Sequence, residues 1–402
     1  MTLGVGGVTK AEALAALTDM TGGVQPVGVQ EYQERLQKAV KLMQQQGIDA
    51  LLLNAGTNLA YFTGINWYAS ERLVAALLLA NGELHYVVPH FEIGTVKPLI
   101  KTDGQLHGWH EHENPYQLCV SLLQGKQNVR FAIDESAAFF IADGLYKAAP
   151  GWQFCNGSVI TAACRMQKSA AEIAIMQRAM DMTLRVHQAV AGILYEGITT
   201  EEVTAFIDEA HRRVGAPAGS YFCIVLFGPD SAFPHGVDKP KVLEKNDMVL
   251  IDTGCRLLGY VSDITRSYVF GDASERQRQI WNAEKTAQQA AFDAARIDVA
   301  CQEVDRAARR SLIASGLSSG YDLPGLPHRT GHGIGMDIHE WTYLVEGNET
   351  PLAAGMCFSN EPMICVPGEF GVRLEDHFYM TDSGPQWFTA PAYSVDDPFG
   401  LR

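Results

Sequence analysis

Four phrases in the second half of the chain set acids or imidazoles into apolar, β-type surroundings. They are "IDTGCRLLGYVSDITR" (251–266), "RTGHGIGMDIHE" (329–340), "SNEPMI" (359–364) and "GVRLEDH" (371–377). A carboxylate buried in such a setting is costly unless it is hydrogen-bonded, paired or bound to a cation. A fold that draws these runs together must therefore supply a counter-charge. The first phrase constrains most. Asp252 closes an apolar strand, a short turn containing Gly259 follows, and Asp263 stands on the return run, eleven residues on.

Hard divalent cations prefer carboxylate oxygens, and an imidazole joins them for borderline metals. Two such cations about 3.5–4 Å apart need several acids converging from different strands. Asp252, Asp263, His332, Glu361 and Glu375 offer four carboxylates and one imidazole. Each acid alone reads more readily as a solvated strand end or an Asx-turn cap. Five in apolar contexts are harder to explain without a cation.

The 402 residues suggest two domains. Residues 1–162 read as an α/β unit. Its signals are a helix over 29–47 ending at Gly47, a strand "DALLLN", a hairpin around Asn81-Gly82 with a type I′ turn, and a strand "NVRFAIDE". Residues 163–402 read as α+β, with helices covering an antiparallel sheet. A long helix over 164–197 ends at Gly197, and a second starts at the Thr199/Glu202 capping box. Strands follow at 221–227, 248–252 and 260–270, then helix over 274–316 broken near Asp298, then short Gly- and Pro-rich β segments.

A net charge of −15 argues against nucleic acid and anionic membranes as partners. The opening residues lack the basic and apolar regions of a signal peptide, and no run is long enough to span a membrane. Eight cysteines without a C-x-x-C pair read as reduced, buried residues, so the expected compartment is the cytoplasm.

The phrases resemble the metal-binding signature of the pita-bread metallopeptidases: methionine aminopeptidase, aminopeptidase P and prolidase, with creatinase on the same fold. The order Asp, Asp, His, Glu, Glu matches, as do the separations 252 to 263, 332 to 361 and 361 to 375. The flanking words G-Y-x-S-D-x-T-R, T-G-H-G-I-G, N-E-P and R-x-E-D match too. "NLAYFTGI" (58–65) and "CRMQKSAAEIAIMQRA" (164–179) resemble the creatinase-type N-terminal domain and the junction helix, so the likeness spans roughly residues 30–395. An N-terminal domain of this kind favours the prolidase and aminopeptidase P branch.

The resemblance implies a pita-bread catalytic domain behind a creatinase-like one. It implies a dinuclear centre, with manganese first and cobalt or zinc as alternatives, acting on Xaa-Pro bonds of small peptides in a homodimer. Asp252 would chelate one metal, Asp263 and Glu375 would bridge, and His332 and Glu361 would complete the other site. A bridging water would be the nucleophile and Glu361 its general base. His235 would lie near the leaving nitrogen and His339 would donate to the oxyanion. Arg373 would pair with a substrate carboxylate or brace a ligand acid. A loop carrying Trp67 and Tyr68 would reach the partner's site. Departures are Met363 and Ser267, at positions where glycine and threonine are common. A creatinase-like or other small-molecule amide or amidine hydrolase, or a lyase, is the competing activity, and a binding module that has lost catalysis is the third. "HGWHEHEN" (107–114) could hold a metal weakly but reads as an exposed loop. His328 and His377 read as structural.

Overall fold

The computed structural model describes residues 2–402 apart from Gln124, Asp238 and Ser319. Two compact units result, Val27–Arg165 and a larger one formed by Met166–Arg402 with the first 26 residues.

The smaller unit is built on a mixed six-stranded sheet. Its strands are β1 (Ala50–Asn54), β2 (Ala75–Leu79), β3 (Leu84–Pro89), β4 (Gln105–Trp109), β5 (Arg130–Ile133) and β6 (Gln153–Asn156), in the order β4-β3-β2-β1-β5-β6. Every residue of β1, β2 and β3 is buried, which is why these runs are continuously apolar rather than alternating. The helix Val29–Gln46 stops where Gly47 turns left-handed, as the sequence indicates. The β2–β3 hairpin is present, but its turn is not type I′. Only Gly82 has a positive φ, and Leu79 N–H bonds to Glu83 O across a longer loop.

In the larger unit, capping boxes start four helices among the described residues: Ser169 with Glu172, Thr199 with Glu202, Ser274 with Gln277, and Thr9 with Glu12. The first runs Ala170–Gly192 and stops short of Gly197, because Gly197 N–H bonds to Leu243 O instead of continuing the helix. The break near Asp298 is real: helices Glu275–Ala294 and Cys301–Ala314 flank a positive φ of 65° at that residue. The sequence boundary at 162 needs one correction. Residues 2–8 belong with the larger unit, since Thr2, Leu3, Gly6 and Val8 donate backbone bonds to Gly271, Asp396, Ala191 and Gly192.

Among the described residues, eleven strands complete this α+β unit: β7 (Ser220–Phe227), β8 (Met248–Leu257), β9 (Tyr260–Val261), β10 (Ile264–Val269), β11 (Gly331–Gly333), β12 (Glu340–Leu344), β13 (Cys357–Asn360), β14 (Met363–Val366), β15 (Phe370–Arg373), β16 (Asp376–Thr381) and β17 (Gly384–Trp387). They form a β10-β8-β7 sheet with β9 on β8, a β12-β11-β13-β16-β17 sheet, and a β14–β15 hairpin. Trp281, Leu250, Phe358, Val372 and Phe378 share the core that the two helices after β10 seal. All eight cysteines are free; Cys155 and Cys223 are half-buried, not buried as expected. Among the described residues, no helix is long and apolar enough to cross a membrane.

Candidate metal centre

The turn joining the two aspartates explains the spacing of the first phrase. Arg256 pairs with Val261 and Leu257 with Tyr260, leaving Leu258-Gly259 as a two-residue turn with both φ angles positive. The chain therefore folds straight back. Thr265 of β10 lies opposite Asp252 of β8. Asp263 stands two residues before Thr265, immediately ahead of β10. Gly254 is required here: a Cβ would stand 1.7 Å from Ser262 O.

Glu375 enters through a bridge between Thr265 and Glu375, with Glu375 N–H donating to Thr265 O at 3.1 Å. His332 arrives on β11, its N–H held by Ser359 Oγ at 2.8 Å. Its Nδ1 lies 3.0 Å from Gly333 O. A carbonyl can only accept, so Nδ1 carries a proton; Nε2, which is protonated when it donates to Glu361 in the metal-free fold, is the nitrogen a cation would take in exchange for that proton. That Nε2 is 3.2 Å from Glu361 Oε1 and 3.7 Å from Asp263 Oδ2. Asp263, His332 and Glu375 each offer a donor atom within 4.8 Å of the others, the one such group among the described residues. The histidines of 107–114 form no comparable cluster; His90, His110 and His112 merely stack, at 4.5 and 5.9 Å.

These donors fit a hard divalent cation. Asp252 Oδ1, Asp263 Oδ1 and Glu375 Oε1 are buried with no hydrogen-bond partner among the described residues. Burial, then the neighbouring carboxylates, push Asp263 and Glu375 well above the usual carboxylate range. Asp252 is raised by burial, with Arg373 working against it. Burial also acts to raise Glu361, but the hydrogen bond and charge of His332 outweigh it and hold that carboxyl low. A cation would displace the protons that the raised carboxyls retain and satisfy the orphaned oxygens together.

Arg373 is buried and its guanidinium is committed. Nη2 meets Asp252 Oδ2 at 2.5 Å, Nε meets Thr265 Oγ1 at 3.1 Å, and Nη1 meets Pro234 O at 3.1 Å. Thr265 Oγ1 in turn donates to Glu375 Oε2 at 2.6 Å. The ring of His339 lies 4.1 Å from that of His332, and burial followed by the His332 charge lowers its pKa to about 4. His235 is not drawn into the cluster by a hydrogen bond. It is exposed on the wall of a cavity of about 630 Å³ shared with Ile224, Asp230 and Lys241. His328 bonds its own chain at Arg329 O, and His377 is fully buried with its ring 6.1 Å from His332. Trp67 and Tyr68 lie in the smaller unit, beside a separate cavity.

Sequence reasoning missed several supports. Arg266 donates to Glu375 O and to Asp376, and Gln288 donates to Leu374 O and Asp376. Ser359 Oγ reaches Glu361. Lys168 pairs with buried Glu340, whose other oxygen accepts from Met336 and Asp337 N–H and so folds the loop carrying His339. Thr265 alone had a signal, its position two residues after Asp263.

Residues 174–382 match the model of metallopeptidase family M24, and residues 35–167 match the creatinase/prolidase N-terminal domain. The chain belongs to metallopeptidase family M24. Among relatives of this M24 peptidase is the probable dipeptidase PepE of Mycobacterium tuberculosis, 34% identical over 359 residues, 88% of this chain and 93% of that one. The crystal structure of dipeptidase PepE from Mycobacterium ulcerans superposes with a TM-score of 0.84 at 34% identity, covering 91% and 97% of the two chains. Recombinant prolidase from Thermococcus sibiricus gives 0.81 at 28% identity, covering 89% and 97%. The M24 peptidase thus has a creatinase-type N-terminal domain and a pita-bread catalytic domain.

Proposed function

We propose that this M24 peptidase hydrolyses the Xaa-Pro bond of small peptides at a dinuclear centre held by Asp252, Asp263, His332, Glu361 and Glu375. The observation that carries the reading is the set of orphaned, buried carboxylate oxygens gathered around Nε2 of His332. Relatives named as dipeptidases and prolidases support the substrate class. Asp263 and Glu375 would be shared between the two cations, Asp252 would complete the donor set of one, and His332 with Glu361 that of the other. When bound, the cation pair supplies Lewis acidity for the scissile carbonyl and acidifies a water between the metals.

The chain's own groups do the rest. Glu361, kept ionised beside His332, takes the proton from the attacking water and returns it to the leaving nitrogen. His339 is neutral at physiological pH because its pKa is depressed, so it donates one N–H to the developing oxyanion without bringing a positive charge beside the metals. His235, exposed on the wall of its cavity, would approach the leaving nitrogen. Arg373 acts on Asp252 as a brace. Manganese is the metal of first choice, the working form is a homodimer, and the compartment is the cytoplasm.

The test is hydrolysis of Ala-Pro and Arg-Pro-Pro by protein reconstituted with Mn²⁺. Release of the first residue from either supports the reading. Cleavage of neither, with turnover of an amidine such as creatine, sinks it.

A further inference from the structure

We propose that Arg329 binds the free C-terminal carboxylate of the substrate and thereby makes the chain a dipeptidase rather than an enzyme for longer peptides. The proposal rests on the Xaa-Pro reading for its substrate. It begins from a vacancy in role: a dipeptidase must recognise a carboxylate one residue beyond the scissile bond, and Arg373, the first sequence candidate, is spent. Its three donor nitrogens face Asp252, Thr265 and Pro234 O.

Arg329 is differently placed. Its guanidinium lies over the ring of Tyr343, 4.1 Å from the centroid, and no carboxylate or other acceptor among the described residues pairs with it. Stacking on an aromatic face fixes the plane of a guanidinium while leaving its N–H edge free, and that edge is the geometry a carboxylate meets bidentately. The stack also lies next to the chemistry. Tyr343 is the cross-strand partner of His332, so both side chains rise from the same face of the β11–β12 pair. The ring of His339 packs on that of His332, 4.1 Å away. Trp341, half exposed and 5.0 Å from the Tyr343 ring, walls the same edge.

Chain length then decides the specificity. Each added residue moves the terminal carboxylate by about 3.3–3.6 Å when extended. A cation fixed on a stacked ring cannot follow it. A dipeptide is held at both ends, whereas a tripeptide presents a neutral peptide group to Arg329.

Two measurements test this. The first compares kcat/KM for Ala-Pro and Ala-Pro amide, in the wild type and in Arg329→Met, with Mn²⁺ present. The wild type favours the acid, and the substitution collapses the acid-to-amide ratio by roughly 10- to 100-fold, chiefly through KM, as expected for losing one charged hydrogen-bond partner. Arg329→Lys recovers only part, because the planar fork is lost. An equal fall for both substrates, or no fall for the acid, overturns the proposal. The second is calorimetric binding of L-proline and L-prolinamide to the metal-loaded protein. Preference for proline in the wild type and its loss in Arg329→Met support the proposal, and equal binding of both, or binding of neither, overturns it. A wild type that cleaves no Xaa-Pro peptide counts against the functional reading, while the binding measurement still judges Arg329.

Discussion

The centre has two halves that are held in different ways. Asp252 comes from the middle of β8, Asp263 from just before β10 and Glu375 from between β15 and β16, and they are steadied by charged or hydroxylic side chains, chiefly Arg373 and Thr265. His332 and Glu361 come from β11 and the end of β13 and are steadied by Gly333 O, Ser359 and each other. The first half concentrates negative charge and leaves oxygens unsatisfied; the second is nearly closed without a cation. The difference teaches that the acidic half is assembled at an electrostatic cost, which a cation relieves, while the imidazole half is pre-aimed by ordinary hydrogen bonds.

Removing the brace should break the comparison most. Arg373→Met leaves Asp252 buried and unpaired, and in metal-free protein this should cost about 3–5 kcal/mol in chemical denaturation. Added Mn²⁺ should return part of the loss, because a cation replaces the guanidinium as counter-charge. A stable variant with the wild-type response to metal would show that Asp252 needs no brace.

A smaller effect separates the halves. Thr265→Val removes a donor to Glu375 and an acceptor for Arg373, and should weaken metal binding by about 10- to 100-fold, as changes to groups that orient ligands do. Ser359→Ala touches only the half that is nearly closed, so its loss should lie at the low end of that range. Metal titrations that rank the two in the opposite order would invert the account.

The smallest effect is on pH. Asp263 and Glu375 have raised pKa values in the metal-free fold, so their protonated forms favour folding below the unfolded carboxyl range, and that contribution fades as pH rises. The Tm of metal-free protein should therefore fall from pH 5 to pH 8, while the gain from saturating Mn²⁺ grows. A metal-induced gain that does not change with pH would contradict the charge asymmetry.

Much of this was legible in the sequence, and for physical reasons. The apolar runs with acids at their ends, the eleven-residue return and the capping boxes are local signals. Asn81-Gly82 is the stronger type I′ dipeptide, yet the two positive φ angles fall at Leu258-Gly259, where the register of β8 and β9 demands a two-residue turn. The partner choice of Arg373 could not be read, since Asp252 lies 121 residues away and competes with any substrate group. The Lys168–Glu340 pair, 172 residues apart, has no local signature either. The same holds for Arg329, whose role depends on which ring it stacks upon.

The most direct test is metal content by mass spectrometry after reconstitution with Mn²⁺ and desalting, for the wild type and Asp263→Ala, with Ala-Pro hydrolysis measured on the same samples. The account predicts two metals per wild-type chain, loss at both sites in the variant, and activity reduced at least 100-fold, on the order of what a catalytic group contributes. Two retained metals and near-wild-type activity in Asp263→Ala would contradict it.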